Sequence, residues 1–91
     1  MEDTYFPEIS ESDYESLRAI IHELIPTYKE WLHYITGRVA HWSKTHNVIR
    51  VEVKPDGLSE YLRKSGEVAN LNSLYMAAGF FGKSPGAPHS T

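Results

Sequence analysis

Val48-Ile49-Arg50-Val51-Glu52-Val53-Lys54 is the stretch on which the fold turns. Ile49, Val51 and Val53 fall on one side of an extended chain, and Arg50, Glu52 and Lys54 on the other. Such alternation predicts a half-exposed, antiparallel strand. A lone strand leaves backbone N–H and C=O groups unpaired, which is costly where they are buried. The other extended candidate, Tyr5–Ile9, carries Pro7, which lacks a donor and discourages helix in Phe6. Residues 1–10 therefore read as an irregular arm. Strand 48–54 is expected to pair with the same strand of a second copy about a twofold axis.

Upstream of the polar connection Lys44-Thr45-His46-Asn47 lies a long apolar stripe: Tyr14, Leu17, Ile21, Leu24, Tyr28, Leu32, Ile35, Val39 and Trp42. Steps of three and four keep these residues on one side of a helix. Pro26 interrupts the stripe, and an interior proline costs about 3 kcal/mol. Two capping-box sequences, Ser12 to Glu15 and Thr27 to Glu30, place helices at about 12–25 and 27–44. The first buries Leu17, Ile20, Ile21 and Leu24. The second turns Tyr28, Trp31, Leu32, Ile35, Val39 and Trp42 inward and leaves Tyr34 exposed. Gly37, near Ala40, marks close approach of another helix. Unbent, residues 13–44 would make a rod about 48 Å long. A 91-residue globule is only about 30 Å across, so a sharp corner at Pro26 or a second copy is needed.

Downstream, Pro55-Asp56-Gly57 ends the strand. A third helix over 57–65 buries Leu58, Tyr61 and Leu62, and Gly66 suits a left-handed cap. Asn70 caps a fourth helix over 71–82, and residues 83–91 have the composition of a flexible tail. The fourth helix is apolar on two sides. Leu71, Leu74, Tyr75, Ala78 and Phe81 form one stripe, while Met76 and Phe80 point the other way. The predicted fold is one small helix-dominated α+β domain spanning 1–91, ordered α-α-β-α-α, with one main strand shared across a homodimer.

Composition bounds the function. With 91 residues, the chain buries only about 60–65% of its unfolded surface. It has no cysteine, hence no disulfide and no thiolate metal site. No apolar run approaches the roughly 20 residues of a membrane span, and the acidic start Met1-Glu2-Asp3 is unlike a signal peptide. A soluble, cytoplasmic protein with no membrane association is expected. The net charge of −3 splits into −6 over residues 1–23 and +3 over 24–91. This asymmetry suits pairing of an acidic arm with a basic body, within or between subunits, or a simply solvated N-terminus.

No nucleophile elbow, phosphate-cradling glycine loop or paired zinc ligands are present. Glu30 and His33 have the Glu-x-x-His spacing of di-iron bundles, but the other pair and two further glutamates are missing. No cofactor or metal is expected. The leading expectation is a small non-enzymatic interaction or regulatory protein, acting as a homodimer. Met76, Phe80 and Trp31 would meet an unidentified protein partner. A nucleic-acid-binding regulator is the alternative, with a helix-turn-helix-like unit at 57–82 and phosphate contacts from Arg50, Lys54, Arg63 and Lys64. Against it, the would-be reading helix has no basic residue before Lys83. An enzyme with its site at the dimer interface ranks third.

Overall fold

The computed structural model describes residues 1–83. Its order is β1 (Glu2–Glu8), α1 (Glu11–Ile20), α2 (Tyr28–Trp42), β2 (His46–Glu52), α3 (Pro55–Ser65) and α4 (Leu71–Lys83). The α-α-β-α-α order is therefore corrected to β-α-α-β-α-α. The arm is a strand, and β2 finds its partner in its own chain. β1 runs parallel to β2 in register from Glu2 opposite His46 to Glu8 opposite Glu52. The antiparallel pairing across two copies gives way to a parallel pair, whose crossover is supplied by α1 and α2.

Pro7 lies within β1 although it lacks a donor. In an extended chain, alternate residues direct their backbone groups to opposite edges. The Val53 N–H donates to the Glu8 carbonyl at 2.9 Å, so the Glu8 backbone faces β2. The donor missing from Pro7 consequently falls on the outer edge, where no ladder bond is lost. Pro7 itself stands opposite Val51.

The corner at Pro26 is wider than a kink. A proline ring clashes with the carbonyl four residues back, so its effect reaches His22. Accordingly α1 stops at Ile20, and α2 starts afresh at Tyr28. The Thr27 hydroxyl accepts the Glu30 N–H at 3.2 Å, as expected of a capping residue, but the Glu30 carboxylate takes that hydroxyl at 2.9 Å and not the Thr27 backbone N–H of a full capping box. The first box does not form. α1 begins at Glu11 after Ser10, whose hydroxyl donates to Asp13 at 3.0 Å. Two tyrosines secure the corner. Tyr14 donates its hydroxyl to the Ile25 carbonyl just before Pro26, and Tyr28 donates to the Ile9 carbonyl at 2.9 Å. Burial pushes the Tyr14 phenol up to about 12. With the rod folded back, the molecule measures 33 × 32 × 25 Å.

The restart resets the rotation of α2. Tyr14, Leu17, Ile21 and Leu24 keep their inward places. In α2, however, Trp31 and Ile35 become the buried pair, and Leu32 turns out to 40% exposure. Tyr34, expected outside, is half-buried, with its hydroxyl 3.0 Å from that of Tyr75. Phe6, Ile9, Val51, Val53, Leu58, Leu74, Ala77 and Ala78 complete the core.

α4 lies across both strands. A Cβ on Gly82 would come within 2.4 Å of the Tyr5 ring and 2.9 Å of a Val51 methyl. Gly82 therefore sets how closely the helix approaches the sheet. Gly37, by contrast, has nothing within 4 Å of its notional Cβ, so no helix crosses there. Alanine at Gly37 is expected to stabilise the fold by about 1 kcal/mol through helix propensity. Alanine at Gly82 must displace the ring, and overpacking costs about 1–3 kcal/mol. Urea unfolding of the two variants should separate them in that order. Equal midpoints would remove the close approach.

Candidate functional site

α3 and α4 are built by local rules, and the surface they leave between them is the most distinctive on the molecule. Pro55, expected to end the strand, instead occupies the first turn of α3, where its missing N–H is not needed. Gly66 closes α3 in the left-handed conformation with φ of 73°. Asn70 then caps α4: its side-chain oxygen accepts the Ser73 N–H at 2.8 Å, while the Ser73 hydroxyl accepts the Asn70 N–H at 2.9 Å. The Glu23 carboxylate takes the Leu71 N–H at 2.9 Å, placing a negative charge at the positive end of the helix.

Ser73, Leu74, Ala77 and Ala78 are buried, which directs one side of α4 to the core. Its opposite side carries Met76 and Phe80, exposed to 51% and 55%. These two are four residues apart and so adjoin along the helix. Beside Phe80 is an apolar groove of about 410 Å³ between α3 and the end of α4, lined by Gly57, Glu60, Tyr61, Lys64, Phe80 and Phe81. The Tyr61 ring centroid lies 5.4 Å from Phe80 and 6.2 Å from Phe81. Beside Met76 is a second hollow, which Val68, 75% exposed, also lines. Val68, Met76, Phe80 and Tyr61 thus make a continuous apolar track.

The rim is polar and already paired. Glu60 receives Arg63 and Lys64, which hold its carboxyl below the usual range. Such a carboxylate is a poor proton acceptor at neutral pH. The Tyr61 hydroxyl donates to Glu67 at 2.7 Å, a bond that raises its pKa. The groove is therefore suited to holding apolar or ring-shaped groups between polar edges.

The sequence-expected partner residues separate in space. Met76 and Phe80 share the track. Trp31 is 1% exposed and packs against Tyr14 and Tyr34, so it belongs to the core rather than to a partner surface. Tyr61 and Phe81, expected as core, are half-buried groove walls. Phe81 packs against the core and also walls the groove, and its place on the inward stripe gave no sign of the second role. Nothing in the sequence distinguished Tyr61.

Three of the four basic residues considered for phosphate contacts are engaged with carboxylates. Lys54 bonds Asp13 at 3.2 Å and lies 3.3 Å from Glu52, and the two raise its pKa. Arg63 and Lys64 share Glu60. Arg50 is exposed on β2. Lys54 with Asp13, and Asn47 with Asp3 at 3.0 Å, bring acidic N-terminal residues onto the body within one chain. Glu30 is engaged in its cap, leaving the Glu30–His33 pair without a free first member. Among the described residues, no helix is long and apolar enough to cross a membrane. No family model, curated protein or solved structure matches the chain.

Proposed function

We propose that this chain is a small non-enzymatic interaction protein, and that its partner surface is the Met76–Phe80 side of α4 with the adjoining groove. One observation carries the reading: half-exposed methionine and phenylalanine stand on the outer side of a helix whose inner side is fully packed. A flexible thioether beside aromatic rings adapts to varied apolar surfaces. The track is narrow, whereas a standard interface buries about 800 Å² per partner and obligate dimers more. It therefore suits a partner segment that offers two or three apolar side chains. The strand no longer calls for a second copy, so self-association rests on this same face. Absence of cysteine accords with a reducing compartment such as the cytoplasm. The exposed side of α4 gives the nucleic-acid reading no comparable support.

Met76→Asp and Phe80→Asp are expected to abolish capture of a specific protein partner by the immobilised chain. Because both sites are half-exposed, the thermal midpoint should move by no more than a few degrees. Identical capture by the wild-type and both variants would refute the surface. A doubled solution mass that returns to the monomer value in Met76→Asp would identify the partner as a second copy.

A further inference from the structure

The sheet has two outer edges, and they are not alike. Among the described residues β2 pairs with β1 alone. The Val53 N–H donates to the Glu8 carbonyl, so the backbone groups of Val51 and Ile49 face β1 with it. Those of Val48, Arg50 and Glu52 point to the opposite edge. None of these N–H and C=O groups has a hydrogen-bond partner among the described residues. Residues 84–91, on which the flexible-tail expectation fell, lie outside that set. Arg50 and Glu52 are exposed, and Val48 is half-buried. The outer edge of β1 is different. It presents Asp3, Tyr5 and Pro7, and Pro7 offers no donor. Proline on an edge obstructs the addition of another strand. No proline stands in His46–Glu52, so the donors of that edge are complete.

We propose that the outer edge of β2 receives an extended segment of another protein as a third strand, with an acidic residue of that segment beside Arg50. Strand addition draws affinity from main-chain hydrogen bonds and specificity from alternate side chains. The charge follows from Arg50, which takes part in none of the ion pairs among the described residues. Across from it on β1 stands Phe6, which carries no charge. Its neighbours on the same side of β2 make no claim on an acid: Val48 is apolar, and Glu52 is itself a carboxylate, held by Lys54 at 3.3 Å. On the other side of the sheet, the incoming strand lies beside half-buried Ile49 and buried Val51. Apolar residues are therefore required in alternation with the acid. The inference goes beyond the proposed function, whose surface is on α4.

Hydrogen exchange in a dilute sample of the full chain is the first readout. Amides of Val48, Arg50 and Glu52 should exchange at least about tenfold faster than those of Ile49, Val51 and Val53. The binding probe is the capped peptide Thr-Val-Asp-Val-Thr, added at about millimolar concentration to isotope-labelled protein. It should shift the amide signals of Val48, Arg50 and Glu52 and leave those of Met76 and Phe80 in place. Methylating every backbone nitrogen of the peptide should abolish the shifts. Lysine in place of its aspartate should weaken binding about fivefold, and Arg50→Glu should reverse that preference. Met76→Asp should bind the peptide as the wild-type does, so this edge and the α4 surface succeed or fail separately. Slow exchange at Val48, Arg50 and Glu52 would overturn the inference, as would absent shifts or equal shifts with the methylated peptide. An unchanged preference in Arg50→Glu would overturn the acidic residue. Edge signals that move with protein concentration alone, at a doubled solution mass, would give the edge to a second copy and overturn the outside partner.

Discussion

A chain lacking residues 1–8 loses cooperative folding. β1 supplies the only partner strand of β2 among the described residues, through a seven-residue register. Its removal strips backbone partners from a strand whose Val51 is buried. It also removes Phe6, 3% exposed and edge-on to Tyr75 at 5.6 Å, and the Tyr5 and Pro7 side chains. Burying one phenylalanine is worth about 1.5–3 kcal/mol. Total stabilities of domains are only about 5–15 kcal/mol, so the combined loss approaches the whole. Far-ultraviolet circular dichroism should show no sharp thermal transition and a marked fall in helix signal. A truncated chain that melts cooperatively at twice the monomer mass would mean that β2 can pair between copies instead.

The second large effect is at Trp31. Trp31→Ala is expected to cost about 3–5 kcal/mol, the usual range for emptying a buried indole site. The ring is 1% exposed and contacts Tyr14 and Tyr34, so its loss opens a cavity where α1, the Pro26 corner and α2 meet. Its neighbour Leu32, 40% exposed, should cost about 1 kcal/mol on the same change. Denaturant melts of the two variants measure the phase of α2 directly. If Leu32→Ala proved the more damaging, the rotation of α2 would be that of the uninterrupted stripe.

That comparison also shows what a stripe can and cannot say. Steps of three and four from Tyr14 to Trp42 correctly announce two amphipathic helices. They do not show how far the second is rotated after seven residues without helix. The phase depends on where the chain emerges from the Pro26 corner, and hydroxyls of Tyr14 and Tyr28 hold that corner from a distance in sequence. On the outer side of α4, Met76 and Phe80 were legible, since a helix apolar on two sides has one side left over. Tyr61 was not, because whether it is core or groove depends on how α4 lies against α3.

By itself the sequence determined what nearest-neighbour chemistry controls. Thr27 with Glu30, Gly66 and Asn70 mark three helix ends through side-chain and backbone bonds that span only a few residues. The alternation along residues 50–53 set Val51 and Val53 inward against exposed Arg50 and Glu52. Only the tertiary structure decided what lies across the strand. Pairing joins Glu2–Glu8 to residues 44 positions away. Periodicity within either segment is the same whichever edge it meets. For Pro7, an outer edge makes the missing donor harmless, and an edge is a property of the assembled sheet.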